Sequence, residues 1–276
     1  MNGERNGKGK EYYKNGELGF EGEYLNGKRN GKGKEFYENG ELKYEGKYLN
    51  GERNGKGKEY YNDGTLKFEG EYLNGKRNGK GKEYYDNGKL KFEGEYLYGK
   101  EWDGKGYNLN NNIEYVLYKG KGYVKKYYNN GKLEFEGEYL NGERNGKGKE
   151  YDWNGKLKFE GEYLNGNRNG KGKEYYNDGT LKFEGEYLYD QKRKGKLYIN
   201  NKLEYDGEYL YNKKWNGKGY DENLNIIYEL INGIGKVKEY YDNDQLEFEG
   251  EYLNGKWNGK GKEYNNNGKL LYEGVY

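Results

Sequence analysis

The sequence contains no cysteine, histidine, serine or proline, and threonine occurs only at Thr65 and Thr180. Without cysteine there is no disulfide and no thiolate metal site, and nothing reports on the redox compartment. Without serine, cysteine and histidine, the nucleophile–base pairs of covalent catalysis cannot be assembled. No apolar run approaches the roughly 18 residues that cross a bilayer as a helix. The opening MNGERNGKGK has no apolar stretch of the kind a secretory leader carries. The expectation is a cytoplasmic protein whose contact with a membrane, if any, is peripheral. Excess charge of one sign is missing too. Lys and Arg total 50 against 48 Asp and Glu, a formal net charge of +2, so no bulk field draws the chain to nucleic acid or anionic lipid. Hydrophobic residues make up 31% and mean hydropathy is −1.52, values that ordinarily accompany disorder. Two facts oppose disorder: the 38 tyrosines and the missing proline. Tyrosine buries a ring while its hydroxyl stays hydrated, so a tyrosine-rich sheet can fold with few aliphatic residues.

What the chain does have is a repeat. The glycine of an "EGE" or "EGK" step recurs at Gly22, Gly46, Gly70 and Gly94, at Gly137, Gly161 and Gly185, and at Gly207, Gly250 and Gly274. Most spacings are 24 residues, and two are 43. The long gaps hold irregular units, near 98–128 and 189–241, which resemble each other at a distance of 113 residues. We therefore read residues 1–276 as one continuous repeat array, built in part by duplication of a larger block. The shortened segments near Leu117–Gly122 and Leu230–Gly235 are expected to lack a linking turn and to bend or twist the array.

Within a unit the period is two. In "LKFEGEYL", Leu66, Phe68, Gly70 and Tyr72 share one face, and Lys67, Glu69 and Glu71 the other. Asn-Gly or Asp-Gly tips such as Asn39-Gly40, Asp63-Gly64 and Asn87-Gly88 predict two-residue type I′ hairpins. Centring a turn on Asp63-Gly64 sets Tyr61 opposite Leu66, Lys58 opposite Glu69, Gly57 opposite Gly70 and Lys56 opposite Glu71. Opposite charges then meet, each exposed pair contributing a few tenths of a kcal/mol. A second turn at Asn74-Gly75 sets Tyr72 opposite Arg77, Gly70 opposite Gly79, Glu69 opposite Lys80 and Phe68 opposite Gly81. Large rings then lie over bare glycine backbone. Two positions fit this register badly: Glu59 falls on the ring-bearing face, and Lys67 faces Lys82.

The stretch "FEGEYLNGKRNGKGKEYYDNG", from Phe68 to Gly88, resembles the MORN repeat through Phe68, Gly70, Tyr72, Gly75, Gly79 and Gly81, and its counterparts recur along nearly the whole chain. The period is mostly one residue longer than that family's usual 23, and "KEYYxNG" is closer to bacterial variants, some labelled antitoxins. The resemblance implies an all-β fold: an elongated, single-layer antiparallel sheet of stacked hairpins, an open MORN-type solenoid. It also implies a non-enzymatic scaffold or protein-interaction module, with peripheral binding to acidic phospholipids as an alternative. An antitoxin-like role would imply one tight protein partner.

Candidate chemistry is sparse. Paired carboxylates such as Glu69 and Glu71 recur identically in successive units, whereas acid and base roles need two different environments. They read as cross-strand partners of lysine. "GKG" steps lack a complete phosphate-loop fingerprint, no loop has a calcium signature, and no cofactor or metal is expected. Interleaved Tyr and Lys suit single-stranded nucleic acid, but each polar-face Lys is matched by a Glu, so nucleic acid is set aside.

The most informative column lies two residues before the second repeat glycine. It reads Arg5, Arg29, Arg53, Arg77, Trp102, Arg144, Arg168, Arg193, Trp215 and Trp257. Arg and Trp both offer a flat surface that stacks on tyrosine. This column shares the ring-bearing face with two others. One is Phe20, Tyr44, Phe68, Phe92, Phe135, Phe159, Phe183 and Phe248; the other is Tyr24, Tyr48, Tyr72, Tyr96, Tyr139, Tyr163, Tyr187, Tyr209 and Tyr252. The columns either close the apolar face as a stacking layer or leave a half-open groove for a protein segment, a lipid headgroup or, on the Trp residues, a glycan of the cell-wall kind. The two termini also continue the repeat when joined, with Met1 in the place of a Leu. This suggests self-association, side by side or head to tail, the latter with residues 272–276 pairing against the edge at 6–12.

Overall fold

In a computed structural model, residues 3–276 are described, and every regular element among them is a β-strand. The position of Met1 lies outside the described residues. The chain forms two compact units, residues 1–143 and 144–276.

In the first unit, ten antiparallel strands hydrogen-bond in chain order: β1 (Gly7–Tyr12), β2 (Leu18–Leu25), β3 (Lys28–Phe36), β4 (Leu42–Leu49), β5 (Glu52–Tyr60), β6 (Leu66–Leu73), β7 (Lys76–Tyr84), β8 (Leu90–Leu97), β9 (Lys100–Tyr107) and β10 (Ile113–Leu117). The hairpin of β11 (Gly122–Tyr127) and β12 (Leu133–Leu140) follows. The second unit runs in the same way through β13 (Glu143–Tyr151), β14 (Leu157–Leu164), β15 (Asn167–Tyr175), β16 (Leu181–Leu188), β17 (Gln191–Ile199), β18 (Lys202–Leu210), β19 (Lys213–Tyr220) and β20 (Ile226–Leu230). It ends in a four-stranded sheet of β21 (Gly235–Tyr240), β22 (Leu246–Leu253), β23 (Lys256–Tyr264) and β24 (Leu270–Val275). These are the open antiparallel sheets of stacked hairpins that the two-residue period requires.

The two turns of a unit differ. At Asn74-Gly75 both residues have positive φ, 49° and 78°, the type I′ geometry expected there. At Asp63-Gly64 only Gly64 does. Tyr61 N–H donates to Thr65 O and Gly64 N–H to Tyr61 O, so this tip is a type I turn closed by a left-handed glycine. The extra residue moves the register by one: Tyr60, not Tyr61, lies opposite Leu66, while Lys58–Glu69, Gly57–Gly70 and Lys56–Glu71 stand as expected. Asp63 supplies the turn with an acceptor, its carboxylate taking the Thr65 N–H at 2.9 Å.

A bulge corrects the second register. Tyr72 faces Arg77, but Gly70 then faces Gly81, Glu69 faces Lys82 and Phe68 faces Glu83. Two extra residues of β7 are accommodated opposite Glu71. This removes both misfits of the simple count. Lys82 is matched with Glu69 rather than Lys67, and Glu59, across from Phe68, belongs on the ring-bearing face.

At the shortened segments the linking turns are present rather than deleted. Lys119-Gly120 and Asn232-Gly233 are tight turns closed by the pairs Tyr118–Lys121 and Ile231–Ile234. What is lost is strand length, with β10 and β20 only five residues long, and the hydrogen-bonded sheet is interrupted after each.

Candidate interaction surfaces

The ring-bearing face is a sealed layer. Phe20, Tyr44, Phe68, Phe92, Phe135, Phe159, Phe183 and Phe248 have no exposed surface. These rings lie over glycine backbone: Phe68 covers Gly70 and Gly81, and an added Cβ at Gly81 would sit 2.5 Å from Phe68 Cζ. The ring is flanked edge-on by Tyr72 at 5.5 Å and Tyr96 at 5.2 Å between centroids. Such edge-to-face pairs contribute about 0.5–1.5 kcal/mol each beyond burial.

The arginine column closes the layer from above. Arg29, Arg53, Arg77 and Arg168 place their guanidinium carbons 3.9–4.1 Å from the centroids of Phe20, Tyr44, Phe68 and Phe159. The stacking expected on tyrosine is therefore made on the phenylalanine column, with Tyr44 as its one tyrosine member here. Trp257 substitutes for arginine twice over. It stacks on Phe248 at 4.4 Å with planes 5° apart, and its Nε1–H donates to Glu239 at 2.8 Å.

Three members of that column lie elsewhere. Tyr96, Tyr187 and Tyr209 face Glu101, Lys192 and Lys214 rather than Trp102, Arg193 and Trp215. Strands β9, β17 and β19 carry one extra residue in the bulge instead of two, so the next residue falls out of the alternation. Arg193 is exposed, and the rings of Trp102 and Trp215 pack against Gly120 and Gly233. The three Trp residues therefore do not form one open sugar-stacking stripe.

Sequence reasoning missed the glutamates that hold the arginines. Arg53 bonds Glu35 at 2.6 Å and Glu59 at 2.9 Å; Arg77 bonds Glu59 at 2.7 Å and Glu83 at 2.9 Å. A continuous ladder runs from Arg5 through Glu11, Arg29, Glu35, Arg53, Glu59, Arg77 and Glu83 to Lys91. In the second unit, Glu150 joins Arg144 and Arg168. Burial acts to raise the Glu59 carboxyl, but the hydrogen bond and charge of Arg77, helped by Arg53 and Lys67, outweigh it and hold the group below the usual carboxylate range. The signal was the recurrence of Glu six residues after every Arg but Arg193, visible once Glu59 is placed on this face.

Two further clusters were not anticipated. Glu101 accepts from Tyr115 at 2.7 Å and from Lys126 at 2.8 Å; Lys214 bonds Glu204 at 2.8 Å and Tyr228 Oη at 3.0 Å. These sites are the counterparts in the two irregular units, with the sign of the first partner reversed. A second overlooked column joins neighbouring units. The hydroxyls of Tyr13, Tyr37, Tyr61 and Tyr85 donate to the carbonyls of Phe36, Tyr60, Tyr84 and Tyr107 at 2.6–2.8 Å.

The opposite face of the first unit is open. Across β1–β9 it forms a groove of about 1420 Å³, floored by glycine backbone and lined by alternating Lys and Glu. Lys58–Glu69 at 3.6 Å and Lys82–Glu93 at 3.9 Å mark the ladder. Tyr60, Tyr84 and Tyr107 reach Glu45, Glu69 and Glu93 with their hydroxyls at 2.6–2.8 Å, and Leu25, Leu49 and Leu73 stand half exposed beyond the ladder's other end. No group of three or more His, Cys, Asp or Glu positioned for a metal occurs among the described residues, and no helix among them is long and apolar enough to cross a membrane.

Fold and faces define a hairpin-repeat sheet protein, one surface a sealed aromatic layer and the other an open charged groove. Models of the MORN repeat match residues 1–17, 20–41, 44–66, 68–89, 135–155, 159–181 and 248–269, and of the MORN repeat variant residues 121–141 and 234–254. These matches cover more than half of the chain, which belongs to the MORN-repeat family. Repeats of this family are generally protein- or membrane-interaction modules and are typically non-catalytic. No curated protein matches the chain. Solved structures similar to it include TcdB2-TccC3 without its hypervariable C-terminal region, at 10% identity and a TM-score of 0.19, and TcdB2-TccC3-TEV, at 12% and 0.19. The alignments cover 97% and 98% of this chain but 18% of each of those chains.

Proposed function

We propose that this chain is a non-enzymatic scaffold that binds a protein partner along the Lys/Glu groove of its first unit. The observation that carries this reading is the contrast between the two faces. The aromatic columns are spent on the fold, each Phe ring covered by a guanidinium or a neighbouring ring, so a partner approaching there meets Arg and Glu edges. The groove offers instead an unfilled surface across nine strands, with leucine and tyrosine beside its charge ladder. An extended segment with alternating charge would exchange its ion pairs with the ladder and lay apolar side chains against Leu49 and Leu73. The test is capture of partners from the native host, followed by chemical footprinting of lysine and arginine in the purified complex. Protection of Lys34, Lys58 and Lys82 supports the groove. Protection confined to Arg29, Arg53 and Arg77 moves the site to the ring-bearing face.

Self-association is a second reading, favoured by edge strand β24, where Leu271, Tyr272 and Val275 are all more than 40% exposed. Exposed apolar edges pair readily with another strand, and the edge of β1 in a second copy is a suitable partner. Light scattering over rising concentration tests it: mass growth abolished by Leu271→Lys supports pairing, and a constant monomer mass rejects it. Peripheral lipid binding is checked by co-sedimentation with acidic liposomes at low salt.

A further inference from the structure

Across β1–β8 the charge ladder of the groove is broken by an extra cation at one place; at β9 two anions, Glu95 and Asp103, stand opposite each other. Beside the inner Lys–Glu row runs a second row, which reads Lys8, Glu23, Lys32, Lys47, Lys56, Glu71, Lys80 and Glu95 across β1–β8. Signs alternate except at Lys47, where the "EGE" of the other units is "EGK". Lys47 stands directly opposite Lys32, and on its other side it meets the bulge that ends at Lys56. Like charges directly opposed on a sheet are destabilising. Among the described residues, none of Lys32, Lys47 and Lys56 has a carboxylate within ion-pair distance, and only Lys56 has one, Glu71, directly across the strand pair.

Sister units show what that position ordinarily holds. The carboxylates of Glu23, Glu71, Glu162 and Glu251 fold against the bulge glycines Gly31, Gly79, Gly170 and Gly259, all with positive φ. In one of them the bulge amide engages the anion directly, Lys171 N–H donating to Glu162 Oε2 at 3.3 Å. The bulge is thus a small backbone anion seat, filled in these units by the protein's own carboxylate. At Gly55, also at positive φ, the neighbour is instead the aliphatic stem of Lys47, 3.5 Å from where a Cβ would lie. The seat has lost its anion and gained a cation.

We propose that Lys32, Lys47 and Lys56, with the bulge at Gly55, form a binding site for a phosphate dianion, the head of a phosphomonoester. Charge selects the dianion. Exchanging Glu for Lys changes the local charge by +2, from −1 to +1, and a doubly charged phosphate restores the balance of the sister units where a single carboxylate restores half of it. Three ammonium groups from β3, β4 and β5 can surround a tetrahedral oxyanion, and the open groove leaves room for the molecule that bears it. The site stands apart from the identity of the partner proposed above.

The whole chain would be titrated calorimetrically at low ionic strength with inorganic phosphate, a phosphoserine peptide and the same peptide unphosphorylated. Wild type should take up one equivalent of phosphate. Lys47→Glu, which restores the sister-unit sequence and is compatible with the fold, should weaken binding at least tenfold. Glu71→Lys, which copies the break into the next unit, should add a second equivalent. A phosphopeptide that binds much more tightly than phosphate points to a protein-borne group, and equal affinities to the free ion. No phosphate uptake by wild type, equal binding by Lys47→Glu, or an unchanged stoichiometry in Glu71→Lys would each overturn the assignment.

Discussion

Replacing Glu59 by Gln isolates the contribution of the arginine–glutamate ladder. Glu59 accepts from Arg53 at 2.9 Å and from Arg77 at 2.7 Å, and its side chain is 20% exposed. Hydrogen bonds to charged groups contribute about 1.5–3 kcal/mol each, so the two bonds bound the loss at roughly 3–6 kcal/mol. Three things reduce it. Arg53 keeps Glu35 at 2.6 Å, Arg77 keeps Glu83 at 2.9 Å, and the Gln carbonyl retains one acceptor. The expected cost is about 2 kcal/mol. The control is Lys58→Gln in the same strand, whose pair with Glu69 is longer, at 3.6 Å, and about half exposed; it should cost under about 0.5 kcal/mol. Urea denaturation followed by tyrosine and tryptophan fluorescence gives the difference, and amide exchange reads it locally, since repeat arrays need not unfold in one step. The same variant carries a pH signature. A carboxyl held below its ordinary value of 4.5 contributes stability that is present above that value and lost as pH falls through the lowered one. Glu59→Gln should therefore flatten the acid limb of the stability profile. Equal costs for Glu59→Gln and Lys58→Gln, with identical acid limbs, would refute a buried ladder.

Gly81→Ala puts a methyl group 2.5 Å from Phe68 Cζ and should cost about 1–3 kcal/mol, partly relieved by Phe68→Leu in the same chain; thermal melts of the single and double variants check this. Burial, joined at Tyr60 and Tyr84 by hydrogen bonds to Glu45 and Glu69, pushes the Tyr44, Tyr60, Tyr61 and Tyr84 phenols up to about 12. Raised phenols contribute stability that is intact below the ordinary value of 10.0 and fades as pH climbs toward 12, so phenolate absorbance should rise together with loss of β-sheet circular dichroism. Lys214→Met leaves Glu204 buried without its 2.8 Å partner and should cost about 3 kcal/mol, read by calorimetry against Lys213→Met as control.

The repeat, the all-β class and the pairing of Phe68 with Tyr72 on one face were legible in the sequence, because side-chain alternation and glycine-bearing turns are local properties of the chain. So were the Lys–Glu matches across the Asp63-Gly64 hairpin, Lys58 with Glu69 and Lys56 with Glu71. The true register past Arg77 was not. It depends on a two-residue bulge, at which Arg77 stacks on Phe68 and bonds the carboxylates of Glu59 and Glu83. Glu59 looked misplaced for the same reason: its partners come from residues 6 and 18 positions away, brought close by strand stacking. Trp102 and Arg193 read as members of the arginine column until a one-residue bulge moved them out of it. Spacing along the chain thus determined which elements form and which face each side chain seeks. Only the assembled sheet decided how far neighbouring strands slide, and with it which rings are sealed, which charges meet and which face stays open.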